Sequence, residues 1–229
     1  MTTTFITGAN KGLGHETARR LIAAGHTVLI GARDPRVGAA AAEELGARFV
    51  RLDVTDDASV AAAVADIESH EGVVDVLVNN AGIAGSAASA ADLTAADVQA
   101  VFDVNVLGIV RTTTVFLPLL RCSADPAIVN VSSGLGSVSL TRDETRVESH
   151  VIAPAYTASK AAVFMLTAQY AKAFPDIRIC AADPGYTATD LNGNSGPQTV
   201  TEGTDAIVRL AILGADGPTL TDRYGTLGW

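Results

Sequence analysis

Residues 3–14 read Thr-Thr-Phe-Ile-Thr-Gly-Ala-Asn-Lys-Gly-Leu-Gly, an apolar run and a glycine-rich segment that lead into the helical pattern His15–Ala24. The run predicts a first strand, and glycine is needed where backbone turns sharply or approaches a ligand closely. A helix that begins there offers unpaired N–H groups and the positive end of its dipole to a phosphate. We therefore predict a dinucleotide-binding turn formed by Gly8, Asn10, Lys11, Gly12, Leu13 and Gly14.

The glycine spacing in this turn is Gly-x-x-x-Gly-x-Gly. It differs from the Gly-x-Gly-x-x-Gly pattern of many dinucleotide-binding proteins. A structural turn that binds no ligand is the alternative. The position at the first strand–helix junction favours the ligand-binding interpretation.

Strand and helix patterns alternate along the whole chain, and no shift in composition marks a linker. Near-continuous apolar strands predict a parallel sheet covered by helices on both faces. We expect an α/β fold in one domain, 1–229, built on a doubly wound Rossmann-type parallel sheet of about seven strands. The predicted strands are Thr3–Thr7, Thr27–Gly31, Arg48–Leu52, Val74–Asn79, Ala127–Ser132, Ile177–Ala182 and a short one near Tyr224. The predicted helices are His15–Ala24, Gly38–Leu45, Ser59–Glu71, Ala95–Leu120, Ala155–Ala173 and a stretch near Glu202–Leu213.

Composition narrows the possible partners. The 229 residues are 48% hydrophobic and 18% charged, which fits a globular domain with a sizeable core. A net charge of −9 argues against binding to nucleic acid or to an anionic membrane. The apolar run 73–91 is interrupted by polar residues and glycines, so it predicts no membrane span.

Cysteine and histidine usage predicts a reducing compartment and no metal site. Two cysteines are too few for a disulfide framework, and the four histidines lack metal-ligand spacing. The first residues lack the charged segment and apolar stretch of a targeting sequence. We expect a cytoplasmic protein.

The end of the second strand predicts which dinucleotide is bound. An acidic residue here would bond the adenosine ribose, but the sequence reads Gly31-Ala32-Arg33. The Arg33 guanidinium can form a charge-assisted fork to a 2′-phosphate, and Lys11 supplies a second cation. Asp34 is expected to point away. These residues favour NADP(H) over NAD(H); the alternative is that both cations are solvated surface charges.

The segment Tyr156-Thr157-Ala158-Ser159-Lys160 places a phenol and an ammonium four residues apart. On a helix both side chains lie on one face, one turn apart. A nearby positive charge favours phenolate and lowers the pKa of a tyrosine, which can then exchange a proton with a carbonyl or alcohol oxygen. The alternative is a solvated surface pair.

The glycine turn, Asn79-Asn80-Ala81-Gly82, Ser133 and Tyr156-x-x-x-Lys160 occur in an order that resembles the short-chain dehydrogenase/reductase family, specifically a carbonyl-reductase-like member. The resemblance covers essentially the whole chain and implies four catalytic residues. Tyr156 would be the general acid, and Lys160 would hold the nicotinamide ribose and lower the Tyr156 pKa. Ser133 would polarise the substrate carbonyl, and Asn105 would position a water that links Lys160 to solvent.

Ser132 competes with Ser133 for the catalytic place. Strand alternation sends the two side chains to opposite faces, so only one can reach the site. The resemblance favours Ser133.

The resemblance also implies cofactor contacts beyond the glycine turn. Asp53 and Val54 would lie at the adenine ring, and Asn80, Ala81 and Gly82 along the cofactor. Pro184, Gly185, Thr187 and Thr189 would touch the carboxamide and the pyrophosphate, while Tyr156 and Lys160 would also contact the cofactor.

Two segments depart from the family pattern. Ser133 and Tyr156 are 23 positions apart (156 − 133), which resembles an insertion of about ten residues. We expect this loop, 141–150, to be solvent-exposed because it carries Arg142, Asp143, Glu144, Arg146 and Glu148. It leaves the oligomeric state open between homodimer and homotetramer. The short segment Asp190–Val200 predicts an open pocket with loose substrate choice.

The leading prediction is an NADP(H)-dependent oxidoreductase that reduces a small-molecule ketone or aldehyde to an alcohol. The alternative is a non-catalytic NADP-binding sensor or regulator on the same fold. A nucleotide-sugar epimerase or dehydratase is less favoured, because only 40 residues follow Thr189 (229 − 189).

Overall fold

The chain is described from a computed structural model, which covers residues 1–86, 88–213 and 219–228. Within these residues one eight-stranded sheet has the order β3-β2-β1-β4-β5-β6-β7-β8, and every neighbouring pair is parallel except β7 with β8. The strands are β1 Thr3–Thr7, β2 Thr27–Ala32, β3 Arg48–Arg51, β4 Val76–Asn79, β5 Ala127–Val131, β6 Arg178–Ala182, β7 Leu220–Thr221 and β8 Thr226–Leu227. The doubly wound α/β fold is therefore confirmed.

The last predicted strand, near Tyr224, is wrong in detail. Tyr224 lies in the turn between β7 and β8, where the Asp222 carboxylate accepts hydrogen bonds from the backbone N–H groups of Tyr224 and Gly225 at 2.7 and 2.9 Å. A side chain that bonds its own backbone in this way favours a turn. The sheet consequently gains an antiparallel edge strand.

The described helices include the six predicted stretches with shifted ends, and a short helix after β5 that was not predicted. They are α1 Gly12–Ala23, α2 Pro35–Leu45, α3 Asp57–His70, α4 Ala95–Phe102, α5 Gly108–Leu120, α6 Val138–Thr141, α7 Pro154–Ala173, α8 Val200–Gly203 and α9 Asp205–Leu213. Helix α2 begins three residues earlier than predicted, because Asp34 accepts bonds from Arg36 and Val37 N–H and Pro35 occupies the first turn.

Helices α4 and α5 form one long rod joined by a π-helical turn, Asp103–Leu107. By length and composition alone, Ala95–Leu120 could cross a membrane, a test that the core helices of many soluble proteins also pass. Here the rod packs against α3 and α7.

Strand alternation divides the core into two layers. Ile6 faces a cluster shared with α1 and α9, whereas Phe5 faces a cluster shared with α3 and α5. The Phe5 and Phe116 rings stack with centroids 5.0 Å apart. Strand β1 is thus buried on both faces, which explains its continuous apolar run.

A buried polar chain crosses the second layer. Asn79 donates to Asn130 at 2.9 Å and accepts from Thr112 at 2.8 Å, and Asn130 donates to Thr167 at 2.9 Å. The chain ties α5, β4, β5 and α7 together beneath the carboxyl ends of the strands. Strand order reverses between β1 and β4, the position where open α/β sheets bind ligands.

Candidate active site

The glycine turn follows β1 and is shaped for close approach. Gly8 and Gly12 have φ of +64° and +58°, in the left-handed region that favours glycine. A Cβ on Gly14 would lie 2.5 Å from the Asn80 side-chain nitrogen and 2.8 Å from Ala9 Cα. Any larger residue at position 14 would therefore push the turn away from α1.

Asn80 holds this turn in place. Its side chain donates to the carbonyls of Thr7 and Gly8 at 2.9 and 3.0 Å, and the Thr7 hydroxyl accepts from the N–H groups of Asn80 and Ala81. The segment Asn80–Gly82 thus lies directly beside the glycine turn. Leu13 packs under the turn against the first core layer.

The N-terminus of α1 has no side-chain cap among the described residues, since Lys11 precedes it without a capping hydrogen bond. An uncapped N-terminus at this place suits a phosphate.

Lys11 forms an ion pair across the site. Its ammonium pairs with the Asp190 carboxylate at 3.0 Å, which joins the glycine turn to the segment after Thr189. Both side chains are largely exposed, so the pair is weak, and the contact of Lys11 with the cofactor stays a prediction.

Arg33 is exposed at the end of β2, and Asp34 points away as predicted because it caps α2. A cavity of about 480 Å³ is lined by Arg33, Arg51, Asp53 and Ser59, among others. Arg51 is paired with Ala32 across β2 and β3 and was not predicted. The parallel register brings it next to Arg33, a proximity that spacing along the chain does not reveal.

Asp53 follows β3 and is hydrogen-bonded to Thr55. It accepts bonds from the Thr55 N–H and hydroxyl at 3.0 and 2.7 Å. Burial opposes ionisation, but these bonds and the guanidinium groups of Arg33 and Arg111 lower the pKa of Asp53. Val54 is buried against Gly108 of α5, on the core side of the segment.

Tyr156 and Lys160 lie one turn apart near the start of α7, on the face directed at the sheet. The Lys160 ammonium donates to the Val131 carbonyl at 2.9 Å and lies 5.5 Å from the centroid of the Tyr156 ring. Lys160 is 5% exposed, so the alternative of a solvated surface pair is wrong.

Ser133 and Ser132 separate as strand alternation predicts. The Ser133 hydroxyl hydrogen-bonds the Tyr156 hydroxyl and accepts from the Leu135 N–H at 3.2 Å. The Ser132 hydroxyl donates to the Lys160 carbonyl at 3.2 Å and so supports the backbone of α7. The described residues therefore place Ser133, and not Ser132, beside the phenol.

The predicted lowering of the Tyr156 pKa is wrong for this arrangement. Burial and the negative charge of Asp183 raise the pKa of Tyr156 to about 12, and the hydrogen bond from Ser133 opposes them only partly. Burial also lowers the pKa of Lys160 to about 8, while Asp183 opposes that shift. Desolvation outweighs the lysine–tyrosine attraction, so the phenol keeps its proton at neutral pH.

Asn105 lies in the π-helical turn and is 1% exposed. Its amide nitrogen donates to the Ile83 carbonyl and the Ser159 hydroxyl, and its oxygen accepts from the Ile83 N–H, at 2.9 to 3.0 Å. Both amide hydrogens are used within the protein. The side chain therefore fixes the segment after Gly82. Its amide hydrogens are not free to bond the water that Asn105 is predicted to position.

The segment after β6 begins at the same end of the sheet. Gly185 has φ of +68°, and Thr187 donates to the Pro184 carbonyl at 2.9 Å. Thr189 forms a capping box with Asn192 at a short 3₁₀ turn. Thr187 also bridges to Gln198, so the short segment folds back on itself.

The predicted insertion is not uniformly exposed. It contains the end of α6 and a 3₁₀ turn, Val147–His150, and Glu148 is only 8% exposed. Arg146 donates two bonds to Glu148, at 3.1 and 2.8 Å, and this pairing lets the carboxylate enter the interior. Arg142, Asp143 and Glu144 are exposed as expected.

Asp183 is a buried residue of this region that was not predicted. It follows β6 directly, is 3% exposed, and accepts from the Gly185 N–H at 2.9 Å and from the Gly134 N–H. An acidic residue between an apolar strand and Pro184-Gly185 is the signal that could have found it.

The residues present fit a nicotinamide dinucleotide. A glycine turn with no room for a side chain at Gly14 leads into an uncapped helix N-terminus. A cavity beside β3 is lined by three arginines and three aspartates, Arg33, Arg48, Arg51, Asp53, Asp56 and Asp66. Gly82 lies between Asn105 and Lys160, with its missing Cβ position 3.4 Å from Asn105 Oδ1 and 3.8 Å from Lys160 Nζ.

Comparison with known proteins agrees with this geometry. Residues 2–199 match the family model for short chain dehydrogenases. The chain is 37% identical to the short-chain dehydrogenase anuI of Penicillium roqueforti over 92% of its length and 88% of the relative's. It superposes on salutaridine reductase from Papaver somniferum with a TM-score of 0.84 at 28% identity, covering 95% and 98% of the two chains. The 3-ketoacyl-(acyl-carrier-protein) reductase from Brucella melitensis, solved with NADH, gives a TM-score of 0.84 at 26% identity and 96% coverage of each chain.

Proposed function

The chain belongs to the short-chain dehydrogenase family of oxidoreductases, and on that premise we propose that it reduces a ketone or aldehyde to an alcohol with NADPH. The observation that carries the proposal is the contact of the Ser133 and Tyr156 hydroxyls beside the buried Lys160 ammonium. A retired, purely binding member of the family would have little need of this group.

The protein's residues would divide the work as follows. The glycine turn and the N-terminus of α1 would hold the pyrophosphate, and Lys160 would hold the nicotinamide ribose. The dinucleotide supplies the hydride when bound. Ser133 would donate a hydrogen bond to the substrate carbonyl oxygen, and Tyr156 would protonate that oxygen as it becomes an alkoxide.

The pKa of Tyr156 supports the direction of the reaction. A phenol that holds its proton at neutral pH is ready to act as an acid, which carbonyl reduction requires. Alcohol oxidation would first require the phenol to lose that proton. We therefore propose reduction as the favoured direction near neutral pH.

The preference for NADP(H) rests on charge at the end of β2. Arg33 and Arg51 line one cavity, and the chain offers Ala32 where an NAD-selective protein would offer a carboxylate. A 2′-phosphate would meet two guanidinium groups there. Lys11, paired with Asp190, adds no support to this preference.

The direct test is consumption of NADPH by the purified protein with a panel of aldehydes and ketones, with NADH in parallel. We expect turnover of several carbonyl compounds, with a higher kcat/KM for NADPH than for NADH. Tight NADPH binding without turnover of any carbonyl would instead favour the alternative of a non-catalytic sensor.

A further inference from the structure

Asp183 stands out as a buried acid beside the proposed catalytic group. Strand pairing aligns Val131 of β5 with Ala182 of β6, so Asp183 emerges at the sheet end where Lys160 bonds the Val131 carbonyl. Alternation places Asp183 on the same face as Ala181, which packs against Phe164 of α7. The carboxylate therefore faces the helix that carries Tyr156 and Lys160.

The surroundings of Asp183 act on its charge in both directions. Burial, together with the carboxylates of Glu148 and Asp222, raises the pKa of Asp183, and hydrogen bonds donated by the N–H groups of Gly134 and Gly185 oppose that shift. A Cβ on Gly134 would lie 2.9 Å from Asp183 Oδ2 and 2.7 Å from Glu148 Oε1, so only glycine leaves room for both acids.

The charged and titratable groups that face Asp183 come from three elements. Helix α7 contributes Tyr156 and Lys160, the insertion contributes Glu148 with its partner Arg146, and Asp222 follows β7. The two other carboxylates act against ionisation of Asp183, whereas Lys160 and Arg146 favour it.

We propose that Asp183 is a positioning residue of the reductase reaction: its carboxylate is the counter-charge that keeps the buried Lys160 ammonium charged and the Tyr156 phenol protonated. This inference rests on the proposed function. The electrostatic coupling itself can be measured in the absence of turnover. It also connects the insertion to the site, because the charges of Arg146 and Glu148 act on the Asp183 carboxylate in opposite directions.

The negative charge of Asp183 favours the protonated form of both Lys160 and Tyr156. A negative charge near an ammonium stabilises its charged form, and the same charge near a phenol destabilises the phenolate. Neutralising Asp183 would thus release protons from Lys160 and Tyr156 at lower pH. The protein would therefore lose reductase activity at a lower pH than the wild type does.

The first experiment is NMR titration of protein labelled with ¹³C at lysine Cε. The chain has only three lysines, so Lys11 and Lys172 serve as internal controls. We expect Asp183→Asn to lower the titration midpoint of Lys160 by about one pH unit, a shift typical of losing one nearby charge. Asp183→Glu keeps the charge and should shift the midpoint less than Asp183→Asn does, and Asp176→Asn, a remote surface acid paired with Arg121, should change nothing.

The second experiment is the pH profile of kcat/KM for NADPH-dependent reduction in the same variants. The alkaline loss of activity should move down by about one unit in Asp183→Asn and should return toward wild type in Asp183→Glu. A fall in kcat without movement of that limb would mean a merely structural role and would overturn the proposal.

The outcomes distinguish failure of the Asp183 proposal from failure of the proposed reductase function. Carbonyl turnover with an unmoved Lys160 midpoint overturns this inference alone, whereas a moved midpoint without any turnover overturns the proposed function. Should Asp183→Asn fail to fold, Asp183→Ser is measured in its place. Failure of both neutral variants beside a folded Asp183→Glu would assign the carboxylate to the fold and overturn the proposal.

Discussion

Burial sets the pKa values of Tyr156 and Lys160. Tyr156 and Lys160 were predicted to meet on one helix face, and they do, 5.5 Å apart from ammonium to ring centroid. Their spacing could not reveal that burial dominates and moves both pKa values toward the neutral forms. The depth of the site is a property of the packed sheet and helix.

The pH dependence of reduction follows from Lys160. Because burial lowers the pKa of Lys160 to about 8, the ammonium is charged below that pH and loses its proton above it. We expect kcat/KM for reduction to be steady on the acid side of pH 8 and to fall on the alkaline side. A profile that stays flat well above pH 8 would contradict this role for Lys160.

Arg33 carries the prediction of cofactor choice. Arg33→Ala removes a charge-assisted bond to the 2′-phosphate, worth about 1.5–3 kcal/mol, so the Kd for NADPH should rise roughly ten- to a hundredfold. The Kd for NADH should change little, since NADH lacks that phosphate. Fluorescence titration of both dinucleotides measures this.

Arg36, an exposed arginine in the first turn of α2, provides the matched control. Arg36→Ala removes the same charge close by and should leave both dissociation constants nearly unchanged. Equal losses of NADPH and NADH binding in Arg33→Ala would refute the assignment.

Among the elements, β4 and β5 are held to the helices by the Asn79–Asn130 chain. Asn130→Ala leaves the polar groups of Asn79 and Thr167 without their partner and should cost about 1–3 kcal/mol in the free energy of unfolding. Urea denaturation of wild type and variant measures the difference.

Thr113 offers the opposite case on α5. Its buried hydroxyl has no hydrogen-bond partner among the described residues, so Thr113→Val should leave the stability unchanged or raise it. Loss of stability in Thr113→Val as large as in Asn130→Ala would show that polar pairing does not set these energies.

Elements also mark the limits of sequence prediction. The spacing of apolar residues and the length of each run predicted two elements: the strand that contains Phe5 and Ile6, and the helix that contains Lys160. The start of α2 depended on the Asp34 cap, and the turn at Tyr224 on Asp222. Such side-chain-to-backbone bonds are decided by local geometry and were missed.

At the scale of the whole molecule, the parallel sheet brings together residues that are far apart in the sequence. It brings Arg51 beside Arg33 and Asp183 beside Lys160, pairs separated along the chain by 18 (51 − 33) and 23 (183 − 160) residues. The motifs predicted the candidate catalytic residues because their order resembles that of the family. The residues that tune them became visible only with the sheet register.

Cofactor binding should stabilise the whole domain. At about one hundred times its Kd, NADPH should add about 2.7 kcal/mol, which raises Tm by roughly 5–11 °C for a domain of this size. Differential scanning calorimetry with and without NADPH measures the shift. If no nicotinamide dinucleotide changed the Tm, the β1–β4 junction would not be the binding site for these cofactors.

The assembly and the location in the cell stay predictions. We propose a cytoplasmic homodimer or homotetramer, and light scattering at several protein concentrations would determine the subunit number.

The central claim is that the Tyr156 phenol gives its proton to the substrate oxygen. Steady-state reduction by Tyr156→Phe tests it most directly, with NADPH binding measured in parallel. We expect kcat to fall by about 10²- to 10⁴-fold, or about 3–5 kcal/mol in barrier, while the Kd for NADPH stays close to wild type. A variant that reduces carbonyls at a near wild-type rate would contradict the account.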